Sequence, residues 1–313
     1  MRCSTDASAA RGVPVEARAR AASAAEARAA PRVRGRSSAP SGRGGYRTGS
    51  DPCPSPGATL PLVTGTPFQK LSIFFPMWNE ELYIHRAVGY AKDECERLVA
   101  AGEILDYELI IVDDASTDST PQLADALAAA DPHVKVVHHP VNRKLGGSMK
   151  TGFATASGDL VLYSDADLPF DMAQVAQAVH LLRYYEADIV SAYRFDRTGE
   201  GSARAIYTYF YNLFIKGLFG VRMRDINFAF KLCRGSIFEH IELKSEGSFI
   251  DAELIIRARK LGFDVIQFGV DYFPRTRGES TLASGSVIRK ILSEMFALRK
   301  ELKGLQPVAG LKS

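Results

Sequence analysis

Two aspartates one residue apart offer a pair of carboxylates suited to a divalent cation. Asp165 and Asp167 flank Ala166, and the triplet directly follows the apolar run at residues 160–163. Mg²⁺ typically takes one or two protein carboxylates and completes its shell with water and phosphate oxygens, and Mn²⁺ also favours such oxygen ligands. Most Asp-x-Asp triplets are solvated loop acids, so the triplet alone is weak evidence. Its position after an apolar strand favours a metal site.

A second acidic turn follows the apolar run at residues 107–112. Asp113 and Asp114 stand at its end, where acidic side chains suit ribose hydroxyls or the N–H of a base. Capping of the next helix is the alternative, but Asp118 or Ser119 is better placed for that role. No G-x-G-x-x-G sequence and no P-loop accompany the aspartates, which disfavours dinucleotide-dependent oxidoreductases and P-loop NTPases.

Apolar strand-like runs alternate with helix-period segments through the middle of the chain. The predicted strands are residues 71–75, 107–112, 134–138, 160–163 and 189–192, and the predicted helices are residues 80–101, 121–130, 145–156 and 171–185. Such alternation is typical of an α/β fold with a mostly parallel sheet and helices on both faces. Ligands bind these sheets outside the carboxyl ends of the strands. Carboxylates crowded there would repel one another unless a cation or ligand hydroxyls lay among them.

Charge is distributed unevenly along the 313 residues. Residues 1–66 hold ten Arg, no Lys and four acidic residues, a net charge of +6, so the remainder carries −3 of the overall +3. This Arg-, Ala-, Ser- and Pro-rich segment is expected to be disordered, because it cannot bury enough apolar surface. A transit peptide, an electrostatic tether or a start-site artefact would each explain it. The acidic remainder argues against a nucleic-acid partner bound through phosphate neutralisation.

The cysteines and histidines do not form a further metal site in the sequence. The four Cys are widely separated and none has metal-ligand spacing, which is typical of a reducing compartment and no structural zinc. Cys233 follows a predicted strand and is expected to be buried rather than nucleophilic. His138 and His139 end another strand, and neighbouring strand residues point to opposite faces, so they are not expected to share a metal.

Two apolar segments in the second half bear on membrane contact. No run of 18 apolar residues is present, so no transmembrane helix is predicted. Residues 205–221 are rich in aromatic side chains, and residues 287–302 form a broad apolar face flanked by basic residues. Both segments suit a membrane interface. Packing on the sheet or a dimer contact is the alternative.

Five motifs occur in order along the chain. They are Pro76-x-x-Asn79-Glu80, Asp113-Asp114-x-Ser116-x-Asp118, Lys144-Leu145-Gly146, Asp165-Ala166-Asp167-Leu168 and Arg277-Gly278-Glu279-Ser280. Together they resemble the motifs of family 2 glycosyltransferases of the GT-A (nucleotide-diphospho-sugar transferase) fold, which has a Rossmann-like sheet. Segments 188–194, 225–234, 249–263 and 274–282 resemble those of dolichyl-phosphate mannosyltransferases and related polyprenyl-phosphate sugar transferases. The resemblance spans residues 71–302.

The resemblance implies roles for individual residues. The implied nucleotide-sugar contacts are Pro76, Trp78, Glu80, Val112, Asp114, Asp165, Ala166, Asp167, Arg275 and Thr281. The implied catalytic residues are Asp167, Arg194 and Arg275, with Asp165 and Asp167 as ligands of Mg²⁺ or Mn²⁺. The family often has Lys at the position of Thr281, Gln or Ser at that of Pro169, and Tyr at that of Trp78.

The acceptor decides whether a general base is needed. Departure of a nucleoside diphosphate develops negative charge, which a divalent cation and Arg side chains neutralise. A polyprenyl phosphate acceptor is already anionic and needs no base, and Arg194 and Arg204 are candidates to hold its phosphate. A hydroxyl acceptor would need a carboxylate base. Asp251 and Glu253 are candidates, with helix N-terminal acids as the alternative interpretation.

These patterns together predict a GT-A catalytic domain at residues 67–285, followed by an amphipathic helix and tail at residues 286–313. The predicted reaction is metal-dependent, inverting transfer of a hexose to dolichyl or polyprenyl phosphate, with GDP-mannose as the first expected donor and UDP-glucose as the second. One alternative is an enzyme of this fold acting on a sugar or other hydroxyl. Another is a catalytically silent sugar-nucleotide-binding subunit of a membrane complex. The expected location is the cytoplasmic face of a membrane, bound peripherally to its surface or to an anchoring subunit.

Overall fold

The computed structural model describes residues 65–195, 202–273 and 285–308. The expectation of disorder for the N-terminal segment falls outside these ranges, apart from residues 65 and 66. Arg275, Thr281 and the motif that begins at Arg277 also lie outside them. The positions expected for the nucleoside and for the metal lie within them.

A seven-stranded sheet forms the centre of the described chain. Its strands are β1 (Phe68–Met77), β2 (Ile104–Asp113), β3 (Val134–His138), β4 (Leu160–Ser164), β5 (Ile189–Arg194), β6 (Phe230–Arg234) and β7 (Val265–Val270). The strand order is β3-β2-β1-β4-β6-β5-β7, and only β6 runs antiparallel to its neighbours. The predicted mostly parallel sheet is therefore confirmed. Cys233 is buried as predicted, but it lies within β6 rather than after a strand.

Helices cover both faces of this sheet. They are α1 (Ile84–Ala100), α2 (Thr120–Ala130), α3 (Lys144–Thr155), α4 (Gln174–Tyr184), α5 (Ser202–Phe219), α6 (Ile250–Leu261) and α7 (Gly285–Gly304). One apolar cluster joins α1, α2 and α4 to one face of the sheet, and a second joins α3, α5, α6 and α7 to the other. Alternate residues of β1 divide between the clusters, with Ile73 and Phe75 in the first and Phe74 in the second.

The start of α1 differs from the predicted start at residue 80. Residues 80–83 form a turn, and the helix begins at Ile84. The backbone N–H groups of Asn79, Glu80 and Glu81 donate to side chains of the loop after β2 and of Thr120, the first residue of α2, instead of opening a helix. Asn79 also has φ 57°, in the left-handed region, which breaks helical geometry just before this turn. The predicted helix at residues 171–185 likewise begins later, at Gln174.

Close approach of α3 to β1 depends on Gly152. A Cβ atom at this position would lie 2.2 Å from the ring of Phe74, closer than any side chain tolerates. Only glycine therefore allows the helix to pack this tightly on the sheet. The preceding residue, Thr151, is thereby brought against the end of β3, where it contacts His139.

Candidate active site

Hydrogen bonds join the loop after β1 to the loop after β2. The N–H of Asn79 donates to Ser116 Oγ at 3.0 Å, and Asn79 Oδ1 accepts a backbone N–H of the β2 loop at 2.8 Å. This loop presents Trp78 with 49% of its surface exposed, beside the half-buried Pro76 and Glu80. Because Met77 pairs with Asp113 in the sheet, the predicted nucleoside contacts of β1 and β2 lie at neighbouring strand ends.

Each aspartate at the end of β2 is hydrogen-bonded to a histidine at the end of β3. Asp113 Oδ2 lies 2.8 Å from His138 Nδ1, and Asp114 Oδ1 lies 2.7 Å from His139 Nδ1. The bond to Asp113 raises the pKa of His138, although burial acts in the opposite direction. Val112, the other predicted contact on β2, is fully buried in the second apolar cluster. The sequence marks both histidines as strand-end residues but does not predict their aspartate partners, because the register that joins β2 to β3 is a property of the folded sheet.

The acidic triplet follows β4, which is the other neighbour of β1. Asp165 and Asp167 are half-buried, and Ala166 between them is buried. The hydroxyl of Tyr163 donates to Asp165 Oδ1 at 2.8 Å. Complete burial, together with the charge of Asp165, raises the pKa of Tyr163 well above its ordinary value, so this phenol stays a hydrogen-bond donor.

The carboxylate pair at the end of β4 fits a divalent cation that draws further ligands from substrate. The carboxylates of Asp165 and Asp167 are hard oxygen donors, the type that Mg²⁺ and Mn²⁺ prefer. No group of three or more His, Cys, Asp or Glu side chains forms a metal cage in the described part of the chain. A cation held by two carboxylates would therefore take its remaining ligands from water and phosphate oxygens.

Arg194, at the end of β5, is clamped by a carboxylate and two aromatic rings. Its Nε and Nη2 donate to the two oxygens of Asp225 at 2.6 and 2.8 Å. Its guanidinium carbon lies 5.4 Å from the ring centre of Phe228 and 5.0 Å from that of Tyr272. Bidentate pairing and ring contacts fix the guanidinium in one orientation. Arg204 lies on α5, but its side chain falls outside the described residues.

Both candidate bases are engaged inside the protein. Asp251 Oδ1 lies 2.5 Å from the buried Lys231 Nζ, and burial raises the pKa of Asp251 although Lys231 opposes the shift. Glu253 accepts two backbone N–H groups of the preceding loop and the Nε–H of Arg257. Both acids lie in the first turn of α6, where negative charge also suits the helix dipole.

An apolar groove between α5 and α7 opens at the surface, with a volume of about 600 Å³. Its lining residues are Phe210, Tyr211, Leu213, Phe214, Gly217, Leu218, Ile291, Leu292 and Phe296. Phe210 and Phe296 are 60% and 54% exposed, although they are large apolar side chains. Among the helices described, none combines the length and the apolar character that crossing a membrane requires.

The sequence matches a known enzyme family over more than half of its length. The profile described as Glycosyl transferase family 2 matches residues 72–242. This range contains the loop after β1, both acidic turns and Arg194. The chain belongs to this family. The resemblance expected from the five motifs is thereby confirmed, and the protein is a glycosyltransferase.

Two named relatives are similar to this chain over long stretches. Glycosyltransferase AglD of Haloferax volcanii is 29% identical over 211 residues, 66% of this chain and 33% of AglD, so the chain spans about a third of that relative. The undecaprenyl-phosphate mannosyltransferase of Micrococcus luteus is 26% identical over 247 residues, 75% of this chain and 97% of the relative.

The solved structure supports the fold. It is a crystal structure of glucosyl-3-phosphoglycerate synthase from Mycobacterium tuberculosis with Mn²⁺, UDP-glucose and phosphoglyceric acid, and it matches with a TM-score of 0.57 at 20% identity. The match covers 77% of this chain and 82% of that chain. The predicted GT-A-type α/β fold is confirmed by this likeness.

Proposed function

We propose that this family 2 glycosyltransferase moves a hexose from a nucleoside diphosphate sugar to a polyprenyl (dolichyl-type) phosphate. The observation that carries the proposal is the meeting of three features at one edge of the sheet. Asp114 and the Asp165–Asp167 pair follow β2 and β4, and Arg194 is the last residue of β5. These three strands run in the same direction, so their carboxyl ends share that edge. The residues proposed to bind the nucleotide, the metal and the acceptor phosphate therefore lie where ligands bind such sheets.

The donor is proposed to lie across the ends of β2, β1 and β4. Asp114 would meet the base and Trp78 would cover it, since an exposed indole offers a flat apolar face. The diphosphate would reach the end of β4, where Asp165 and Asp167 would hold Mg²⁺ or Mn²⁺. The cation, when bound, neutralises charge on the departing diphosphate. Glucosyl-3-phosphoglycerate synthase, solved with Mn²⁺ and UDP-glucose, shows this type of donor on the same fold.

The transfer needs no general base when the acceptor is a phosphate. A phosphate oxygen attacks the anomeric carbon, the bond from that carbon to the β-phosphate oxygen breaks, and the nucleoside diphosphate leaves with the electron pair. Attack opposite to the leaving group inverts the anomeric centre. Arg194, fixed by Asp225, would place positive charge beside the acceptor phosphate. The internal pairing of Asp251 and Glu253 favours a phosphate over a hydroxyl acceptor.

The lipid part of the acceptor is proposed to approach along the groove between α5 and α7. The groove is apolar, and its two helices carry exposed basic residues. Among the described residues, these are Lys216, Arg289, Lys290, Arg299, Lys300 and Lys303. An apolar surface rimmed by Lys and Arg suits the cytoplasmic face of a membrane, or an anchoring subunit embedded in it. The Micrococcus relative, named for undecaprenyl phosphate, supports a lipid acceptor.

A transfer assay with a matched pair of variants tests the proposal. The full chain is incubated with a short polyprenyl phosphate, labelled GDP-mannose or UDP-glucose, and Mg²⁺ or Mn²⁺. We expect metal-dependent glycolipid from one donor, and a loss of about a hundredfold or more in Asp167→Ala, because charge neutralisation of the leaving group is removed. Asp93→Ala, which removes an exposed carboxylate on α1, should keep full activity.

The other outcomes separate the alternatives. Donor hydrolysis without glycolipid would overturn the lipid phosphate acceptor and favour a hydroxyl acceptor with Asp251 or Glu253 as base. Donor binding without either reaction would favour the silent binding subunit of a membrane complex.

A further inference from the structure

One oxygen of the Asp114 carboxylate is held by two donors of the protein. Asp114 Oδ1 lies 2.7 Å from His139 Nδ1 and accepts the backbone N–H of Arg143, also at 2.7 Å. His139 is itself held, because its Nε2 lies 2.8 Å from Thr151 Oγ1. With Nδ1–H donating to Asp114, the ring is held on its other side by the hydrogen bond between Nε2 and the Thr151 hydroxyl. The carboxylate is therefore fixed in one orientation.

This arrangement leaves a single acceptor for a ligand. Both lone pairs of Asp114 Oδ1 are engaged, whereas Oδ2 accepts no hydrogen bond from the described residues. His139 has only 5% of its side chain exposed, so water competes poorly for its bond to Asp114. Asp114 can thus offer one oxygen, and not two, to a base.

Nucleobases differ in how many donors they present to such a carboxylate. Uracil presents one N–H, at N3, between two carbonyl oxygens. Guanine presents two donors side by side, at N1 and N2, which pair well only with both oxygens of a carboxylate. A donor left without a partner in a buried site carries a full desolvation penalty.

We propose that His139 and the backbone N–H of Arg143 restrict Asp114 to a single acceptor oxygen for the base. Through this restriction, Asp114 selects a uridine diphosphate sugar over a guanosine diphosphate sugar. This inference rests on the proposed function, in which Asp114 meets the base. It reverses the order of the two donors expected from the sequence resemblance. His139 acts through Asp114 and is therefore a positioning residue.

Trp78 provides a direct signal for the test. It is the single tryptophan of the chain and lies, half exposed, on the loop next to Asp114. The full chain is titrated with UDP, GDP and CDP in the presence of Mn²⁺, with tryptophan fluorescence and calorimetry as two readouts. We expect UDP to bind about tenfold or more tightly than GDP, the size of one unpaired donor.

Exchange of the carboxylate for an amide gives the sharper result. In Asp114→Asn, the two donors at Oδ1 would hold the amide oxygen, so the NH₂ group must point to the base. Uracil N3–H then faces a donor, whereas cytosine N3 accepts from it. We expect the preference between UDP and CDP to reverse in Asp114→Asn. Adding His139→Ala removes one of the orienting donors, and the reversal should shrink or disappear.

Variants of His139 distinguish a role in positioning Asp114 from a general role in stabilising the fold. His139→Ala should weaken UDP binding about tenfold, and His139→Asn should restore much of it, because an amide N–H can replace Nδ1–H. His133→Ala is the matched control, since His133 also bonds an aspartate, Asp131, at the start of β3. It should leave UDP affinity unchanged.

Three results would overturn the proposal. The first is GDP binding to the unaltered protein as tightly as UDP, and the second is an unchanged ratio of UDP to CDP affinity in Asp114→Asn. The third is an equal loss of UDP affinity in His133→Ala and His139→Ala. Failure of the unaltered protein to bind any of the three nucleotides is a different result. It would refute the donor site of the proposed function itself.

Discussion

At the scale of single residues, Tyr163 supports the proposed metal ligand Asp165 from within the core. Its hydroxyl donates to Asp165 Oδ1, and its ring is buried within the second apolar cluster. In Tyr163→Phe, the carboxylate loses this bond, and we expect the Mn²⁺ concentration for half-maximal transfer to rise about three- to tenfold. The maximal rate at saturating Mn²⁺ should change little.

Tyr107→Phe is the control for this substitution. Burial, the larger cause, and nearby carboxylates raise the pKa of Tyr107 to about 12, and its ring stacks on His133 at the far side of the sheet from the site. A metal requirement shifted equally in both variants would contradict a role for the Tyr163 bond.

Residue types at strand ends were sufficient to predict much of the candidate site. Asp114, Asp165 and Asp167 could be chosen because carboxylates directly after apolar strands have few structural reasons to be there. His139 could not, since its partner lies 25 residues away and is reached only through strand register. The Lys231 partner of Asp251 could not be predicted either, because the contact between β6 and α6 depends on how the helix packs on the sheet.

At the scale of elements, a buried carboxylate joins three neighbouring strands, β1, β2 and β3, towards the amino-terminal side of the sheet. Glu108 on β2 accepts the hydroxyl of Ser72 on β1, the backbone N–H of Ser157 and the Nζ–H of Lys135 on β3. Burial raises the pKa of Glu108, but these hydrogen bonds outweigh it and lower the pKa to about 2. The charged form therefore helps to hold three strands together.

This network predicts an acid-sensitive contribution to stability. Because the pKa of Glu108 is lower in the folded than in the unfolded chain, the contribution is complete above about pH 4.5 and is lost as pH falls towards 2. Its size is roughly 3 kcal/mol, from the difference in pKa. Glu108→Gln should lose this stability at pH 6 and unfold with a weaker dependence on pH between 5 and 3.

Urea unfolding at each pH measures the effect, with Glu96→Gln as the control because that side chain is 57% exposed. Parallel curves of unfolding free energy against pH for Glu108→Gln and the unaltered protein would refute the assignment.

Hydrophobic periodicity was enough to predict that these helices and strands exist. The residues at which they begin depend on contacts with loops, which the sequence pattern does not show. The five predicted strands all occur, since continuous apolar runs need burial on both faces. The start of α1 could not be predicted. The side chains of Ser116, Asp118 and Thr120, which lie 37 to 40 residues further along the chain, accept the N–H groups of residues 79–81, and the helix begins only after them. The antiparallel β6 also depends on tertiary pairing rather than on pattern.

At the scale of the whole molecule, the sheet edge that carries Asp114, Asp165, Asp167 and Arg194 and the apolar groove between α5 and α7 serve one reaction in the proposed function. The charged groups at the sheet edge would bind the sugar nucleotide and the acceptor phosphate, and the groove would offer apolar surface to the lipid. Exposed aromatic side chains of this size are costly in water, and Phe214 and Phe296 already contact each other at 6.1 Å between ring centres. A peripheral membrane contact would remove this surface from water.

Membrane binding is therefore predicted to depend on the groove and not on exposed apolar residues in general. In Phe210→Ser/Phe296→Ser, partitioning onto vesicles of phosphatidylglycerol and phosphatidylcholine should fall about tenfold or more, because each ring loses roughly 1.5–3 kcal/mol of burial. Tyr90→Ser/Leu105→Ser removes two equally exposed apolar side chains elsewhere and should bind as before. Added salt should weaken binding of the unaltered protein, since Lys and Arg on both helices would face anionic headgroups.

Kinetics distinguish membrane contact from a structural or dimer role of the same surface. The double variant should show a higher KM for a long-chain polyprenyl phosphate but an unchanged KM for a short water-soluble one, because only the long chain is delivered from the bilayer. Vesicle binding equal to that of the unaltered protein would contradict the prediction. A change of oligomeric state in gel filtration, with vesicle binding retained, would instead assign the groove to a second copy of the chain.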